Sequence, residues 1–532
     1  MEIPDLLGAE PAVRVEVGAL KQALVFSFAA GGAQEGFDEA VAASRLPETG
    51  WDRADFARDV YLDDLVARCF EVRLGGKPHA VHGRFVARVL GEPPRARADV
   101  DARREVLREL AASKERRGEL EKIASAVVRM RALLCQSRPL SQRGRRIEVL
   151  RAARECFETL ASSFAGATSA LGRLRAFGAS VVASPAHARL VALLDHDEHA
   201  GSLDLRVRVG ADGEVRAMQI VRVEEDRANP FHVGALRRFL ARLALFFRGW
   251  RTTSGEVAER LLTEVLAGVE EPVALLFQVL AHAEVMLASL SLRDRAEREG
   301  LTMSLPDLAE PGEGMQLEQL FNPLLLAAGV HPVACDLRSA AGAVVLVTGP
   351  NSGGKTRLLQ GIAIAQMLAC AGLFVPVRGG RIPRAPGLFA SLYEEPRPDA
   401  PEGHLGMELL RIRRLFERLD VGSLVVLDEL CSGTNPSEGE EIARLVLTLL
   451  PEIGVQAFVT THLLQFAARL SQEQPFPALA FLQVELDARE RPTYRFVPGV
   501  ARTSLAQQTA ARLGVTREEL LERIAAKRRG RV

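Results

Sequence analysis

The apolar run AVVLV at residues 343–347 passes almost directly into GPNSGGKT, Gly349 to Thr356, and then into the helix-forming text RLLQGIAIAQMLACAG. A strand, a glycine-rich loop and a helix start in that order predict a phosphate cradle. The glycines let successive backbone N–H groups converge on an anion, and the helix N-terminus adds its partial positive charge. In such a loop Lys355 reaches the β- and γ-phosphates of a nucleotide, and the Thr356 hydroxyl ligates magnesium.

Two further strings carry matching chemistry. LVVLDE ends in Asp428 and Glu429, an acidic pair at the end of an apolar strand, where Asp428 holds magnesium and Glu429 polarises the attacking water. TTHLL places His462 at the end of the next apolar strand, where an imidazole senses a γ-phosphate or orients the water. The runs at 343–347, 423–427 (SLVVL) and 455–459 (VQAFV) are of the kind found in strands covered on both faces by helices. They predict an open, largely parallel α/β sheet, with all three chemical elements at strand C-termini, where such sheets bind ligands.

In this region the chain resembles the MutS mismatch-repair ATPase family, whose phosphate loop reads TGPN.GGK and whose acidic motif reads DE..GT. The corresponding strings are TGPNSGGK, Thr348 to Lys355, and DELCSGTNPSEG, Asp428 to Gly439. LFVPV at 373–377 and YRFVPGVARTS at 494–504 match in the same order. The resemblance is firm over 321–513 and weaker over 84–298. It implies an α/β, ABC-class P-loop ATPase domain that binds ATP and Mg2+, preceded by a mostly α-helical lever and core domain. It further implies a homodimer in which the partner subunit completes each nucleotide site and closure on ATP is coupled to gripping DNA. By the same resemblance Phe321, Asn322 and Pro323 lie beside the adenine. Gly349, Pro350, Asn351, Ser352, Gly353, Gly354, Lys355 and Thr356 form the loop around the phosphates.

The sequence also departs from that family. Gly403, His404 and Leu405 stand where a Ser-Thr-Phe signature is expected, so either His404 replaces the hydroxyl acting across the dimer or the partner site is weakened. The only Phe-x-Glu string, Phe37-Asp38-Glu39, reads as part of an amphipathic helix rather than a mismatch wedge. The text after the ATPase shows no appended nuclease of the kind some bacterial relatives carry. For phosphate contacts the candidate is the run at 137–154, which concentrates Arg138, Arg143, Arg145, Arg146, Arg151 and Arg154; such a run is otherwise a solvated helix face.

The remaining text sets the organisation. Residues 1–80 show no clear periodicity and are read as a small region of uncertain fold. Residues 81–304 carry three- and four-residue apolar spacings typical of long helices, interrupted by a hairpin near 203–223 that is either a reduced clamp or purely structural. A Pro- and Gly-bearing stretch then opens the ATPase region, 305–513, and residues 514–532 read as a helix with a basic tail, opened by a capping box of Thr516 and Glu519. With 68 Lys plus Arg against 68 Asp plus Glu, no global field draws the chain to nucleic acid or membranes. Six separated cysteines without a CxxC pair suggest neither zinc nor disulfides, and the acidic N-terminus lacks a secretion pattern, so a cytoplasmic setting is expected. The stretch at 273–292 approaches membrane length, but it carries His282 and Glu284 and reads as a buried helix, with no membrane span.

Three functions fit these readings. The first is an ATP-hydrolysing DNA-binding dimer in repair or recombination. The others are a nucleotide-binding switch of weak turnover acting on a protein partner, and an ATPase acting on RNA or ribosomes.

Overall fold

Apolar text of two kinds, helical in the first half and strand-like in the second, builds two separate cores. The computed structural model describes residues 2–136, 142–199, 202–209, 215–224, 254–392, 403–430, 435–502 and 515–529. It divides into two units: Met1–Leu46 with Val72–Val86 and Ala98–Ala288, and Pro47–Glu71 with Ala87–Arg97 and Ser289–Val532. Residues 1–80 are therefore shared between the two units rather than forming a third.

The first unit is mainly helical. Its elements include α1 (Val17–Ala30), α2 (Gln34–Ala42), α3 (Arg97–Ala112, from Ala98 onward), α4 (Lys114–Cys135), α5 (Gln142–Ser162), α6 (Leu171–Val182) and α7 (Pro185–His199). The long helix α8 (Ser254–Arg298) supplies its residues up to Ala288. Helices α5 and α6 approach closely because residue 178 is glycine: a Cβ there would lie 2.5 Å from the Ala161 amide nitrogen. The N-terminal segment docks on α8 through polar groups. Gln278 accepts from the Arg14 amide at 2.7 Å, and its side-chain NH2 donates to the Pro4 and Ala12 carbonyls, each at 3.1 Å.

Helix α8 holds the one stretch among the described residues, Arg260–Arg298, that is long and apolar enough to cross a membrane; its apolar window is wholly buried within the protein. Within it the Glu284 carboxylate contacts His79 and His82, and His282 Nδ1 accepts from the Leu6 amide at 3.3 Å, as expected for polar groups in a core helix. Phe37, in α2, is fully buried and stacks on Phe277 with ring centroids 4.6 Å apart. A wedge reading of that residue is thereby excluded. The hairpin forms an antiparallel pair, Ser202–Val209 with Val215–Glu224, in which Leu203 faces Val223. The turn between them lies outside the described residues, as does 225–253 of the expected helical text.

The second unit is organised by a six-stranded sheet. Its strands are β1 (Val344–Thr348), β2 (Leu388–Ser391), β3 (Leu424–Leu427), β4 (Gln456–Thr460), β5 (Leu479–Leu486) and β6 (Pro492–Pro498), in the order β2-β3-β4-β1-β5-β6. All pairings are parallel except that of β5 with the edge strand β6. Every residue of β1, β3 and β4 is buried, which explains why these strands read as unbroken apolar runs rather than alternating ones. Helix α9 (Lys355–Cys370) follows β1 and is buried from Leu358 to Cys370, matching its apolar character on every face. Helices α10 (Gly403–Arg418) and α11 (Pro436–Ile453) flank β3 in sequence. A second sheet of four strands, Asp307–Ala309, Gly379–Pro383, Met315–Leu320 and Cys335–Ser339 in spatial order, belongs to the same unit.

Near the C-terminus, α12 (Arg517–Arg529) begins with the expected capping box: the Glu519 amide donates to Thr516 Oγ1 at 3.3 Å, and that hydroxyl donates to the Glu519 carboxylate at 2.9 Å. Leu520, Leu521 and Ile524 on this helix remain 42–52% exposed.

Candidate functional site

The sheet order brings the three chemical strings together. β4 lies between β3, which ends before Asp428, and β1, which leads into the glycine-rich loop, so the loop and the acid converge across the end of one intervening strand. Three glycine positions make the loop possible. Gly349 has φ of +142°, and a Cβ there would lie 2.6 Å from Val484 Cγ2. At Gly353 a Cβ would meet the Pro350 carbonyl at 2.9 Å, and Gly354 caps α9 in a left-handed conformation, φ +87°. Ser352 is left-handed as well, at φ +69°.

Lys355 opens α9, and its buried amino group donates to the loop carbonyls of Gly349 at 3.1 Å and Pro350 at 3.3 Å. Burial pulls its pKa below the usual lysine range, while the Glu429 and Asp428 carboxylates partly oppose the fall. The next residue, Thr356, donates its hydroxyl to Asp428 Oδ2. Asp428 is held on its other oxygen by the Thr460 hydroxyl at the end of β4, and its amide donates to the Ser391 carbonyl at 2.8 Å. The Glu429 amide donates to the same Thr460 oxygen at 2.8 Å, and Glu429 adopts a left-handed φ of +50°.

A cleft of about 680 Å³ opens beside the loop. One side presents Asn351, Gly354, Lys355, Thr356 and Glu429; the other presents Phe321, Leu325, Val330, His331 and Val333. Asn322 ties the two sides together, donating its amide to the Arg357 carbonyl at 3.1 Å and to Gln360 Oε1 at 2.9 Å, and capping the short helix Pro323–Ala327. Such a cleft, apolar at one end and rich in donors at the other, suits a ligand with a flat ring and a phosphate tail.

Among the expected site residues, the structure brings Phe321, Asn322, Asn351, Ser352, Gly353, Gly354, Lys355, Thr356 and Glu429 to this cleft. Asp428 reaches it through Thr356. Gly349 and Pro350 act behind it, as acceptors for Lys355. Pro323 is buried under the apolar side, and His462 is exposed on the turn after β4, outside the cleft lining. Side chains of Gly403, His404 and Leu405 lie outside the described residues, although their backbone begins α10.

Three contributors have no role in the sequence reading. Tyr494 and Phe496 line the cleft from β6, where their spacing of two places them on one strand face, a signal the YRF string contains. Thr460 is the first residue of the TTH string, and its neighbour Thr461 accepts from the Leu463 amide at 3.0 Å to shape the turn that carries His462.

The arginine run behaves differently from a phosphate-binding surface. Arg145 donates to the carbonyls of Ser27 at 2.7 Å and Phe28 at 2.9 Å, and Arg146 donates to those of Phe28 at 3.0 Å and Ala29 at 3.2 Å. Both are buried and add donors to the last-turn carbonyls of α1, of which Ser27 also accepts from the Gly31 amide at 2.8 Å. Arg151 pairs with Glu148, and Arg154 with Glu158 and Asp195. Arg138 and the Arg143 side chain lie outside the described residues.

In comparison with known families, residues 345–527 match the family model described as MutS domain V. Over this region the chain is similar to the MutS family. The MutS domain V match thus begins inside β1, includes the glycine-rich loop, Asp428 and Thr460, and ends within α12. Curated relatives include a protein named endonuclease MutS2 from Thermus thermophilus, 34% identical over 242 residues, covering 45% of this chain and 32% of the relative. Another of that name, from Thermomicrobium roseum, is 31% identical over 263 residues, covering 48% and 33%. A third, from Streptococcus thermophilus, is 33% identical over 214 residues, covering 40% and 26%. The chain spans about a third or less of the length of these MutS relatives.

Proposed function

We propose that the cleft binds ATP with Mg2+ and that this MutS-like chain hydrolyses ATP as an ABC-class P-loop domain. We further propose a homodimer that couples the nucleotide cycle to holding or releasing DNA in repair or recombination. The observation that carries the catalytic half is the hydrogen bond from Thr356, the residue after the loop lysine, to Asp428 at the end of a second strand. A hydroxyl and a carboxylate oxygen in contact are the hard oxygen donors that magnesium prefers, with room for water and phosphate oxygens in the adjoining cleft. When bound, the ion supplies charge neutralisation on the phosphate oxygens.

The protein's own groups account for the rest. Backbone amides of the loop, aided by the N-terminus of α9, face the phosphates. The Lys355 amino group, now satisfied by loop carbonyls, exchanges those weak partners for phosphate oxygens, which favour the charged form that burial disfavours. The purine lies toward Phe321, Leu325 and Val330. Glu429 lines the cleft and acts as the base that orients and deprotonates water for in-line attack on the γ-phosphorus, with ADP as leaving group. His462, on its exposed turn, is placed to act once a partner subunit or closure covers it, and Gly403 to Leu405 at the start of α10 are the segment through which a partner would act.

The DNA half is supported by the domain V match and by relatives whose names denote cleavage of nucleic acid. Phosphate release by the wild type and by Glu429→Gln, with and without branched DNA, tests both halves. The reading expects turnover in the wild type, none above background in the variant although ATP still binds, and stimulation by branched DNA. A wild type no faster than the variant favours a switch, and stimulation by structured RNA in place of DNA redirects the partner assignment.

A further inference from the structure

The acidic pair at the end of β3 is held by a group from a different strand. Thr460, the last residue of β4, is fully buried, and its hydroxyl has one proton, which it donates to Asp428 Oδ1. Its lone pairs face the Glu429 amide, which donates to the same oxygen at 2.8 Å. One side-chain oxygen therefore fixes both the carboxylate that contacts Thr356 and the backbone from which the Glu429 side chain projects. That backbone needs fixing, because a left-handed conformation, φ +50°, is unfavourable for a residue with a Cβ. The donor on Oδ1 also favours the carboxylate orientation in which Oδ2 is directed at Thr356.

We propose that Thr460 is a positioning residue for the nucleotide site: its hydroxyl orients Asp428 toward the metal and sets the Glu429 backbone for attack by water. This inference rests on the ATP reading above and adds a requirement that reading does not contain. A merely structural role is separable from it, because valine has nearly the same shape and favours a buried strand position. If Thr460 served packing alone, valine would be tolerated without functional loss.

The test uses the full chain with a non-hydrolysable ATP analogue and Mn2+ as the paramagnetic probe of metal binding. Thr460→Val should weaken Mn2+ affinity in the nucleotide complex by about 10- to 100-fold, the range found when a group orienting a metal ligand is removed. Nucleotide affinity in EDTA should stay at the wild-type value, which also shows that the variant is folded. Turnover at saturating Mg2+ should fall more than KM rises, and Thr460→Ser should return both metal affinity and turnover toward wild type. Valine matching the wild type in Mn2+ affinity, or serine falling as far as valine, overturns the inference while the ATP reading stands. A wild type that binds neither the analogue nor Mn2+ overturns both.

Discussion

Replacing Glu284 with glutamine tests the buried charge cluster at the centre of the helical unit. Glu284 is fully buried on α8, and its two oxygens contact His79 Nε2 at 2.7 Å and His82 Nδ1 at 2.8 Å, with the His82 amide donating at 2.8 Å as well. Burial opposes charge on both partners, yet hydrogen bonds to Asp38 and Glu284 lift the His82 imidazole to about 9. Bonds from His79 and His82 hold the Glu284 carboxyl at about 2. The rise of His82 from 6.5 corresponds to about 3 kcal/mol at about 1.4 kcal/mol per pH unit. Because His82 is raised, its contribution is complete below pH 6.5 and lost as pH climbs through about 9. Because Glu284 is lowered from 4.5, its contribution is complete above pH 4.5 and lost as pH falls through about 2. Both are therefore present in full between pH 4.5 and 6.5. Glu284→Gln should cost about 2–4 kcal/mol there, below the larger penalties for stranding a buried charge because His82 can shed its proton. The assay is hydrogen exchange, read by mass spectrometry on α8 peptides of the intact chain and corrected for intrinsic rates, at pH 6 and pH 9.5. A loss at pH 6 that narrows at pH 9.5 is expected, because the His82 contribution is then gone while that of Glu284 persists. An equal loss at both pH values, or none at either, would refute the reasoning.

Three other changes have definite expected outcomes. Glu429→Gln should lower phosphate release by about 100-fold or more while leaving ATP binding intact, checked by single-turnover kinetics beside equilibrium binding. Gly349→Ala forces a Cβ to 2.6 Å from Val484 Cγ2 at a left-handed φ, so thermal unfolding should shift by the equivalent of about 1–3 kcal/mol and analogue binding should weaken. Arg145→Met should destabilise the helical unit by about 1–3 kcal/mol in denaturant unfolding, because the Ser27 and Phe28 carbonyls of α1 each lose one of their two donors, yet leave duplex DNA affinity and its salt dependence unchanged.

The phosphate loop was legible because strand, glycines and helix are contiguous, and the Asp428 strand because burial on both faces writes an unbroken apolar run. The hairpin and the Thr516 capping box were local enough to read for the same reason. What the text conceals is which distant partner a polar group meets. Arg145 and Arg146 read as solvent-facing charge, but they cap a helix more than a hundred residues earlier. Thr460 gives no signal of its own because its partners, Asp428 and Glu429, come from another strand. The uneven text of residues 1–80 likewise hides its destinations, since Gln278 gathers one part of it and Ala385 accepts from the Trp51 indole at 2.9 Å in another.

The interleaving of the two units limits how the nucleotide-binding portion can be isolated. A fragment starting at residue 305 would retain every loop and acid residue of the cleft. It would lose Trp51, whose indole covers the Ala385 carbonyl, Asp59, which accepts from the Leu392 amide at 2.7 Å, and Asp52 and Asp55, which pair with Arg418. Leu392 directly follows β2, the edge strand beside β3, so trimming would fray the sheet from the side that carries Asp428. Excision at the apparent domain boundary is thus expected to yield a poorly behaved piece, whereas a graft that keeps residues 47–71 attached would preserve the edge.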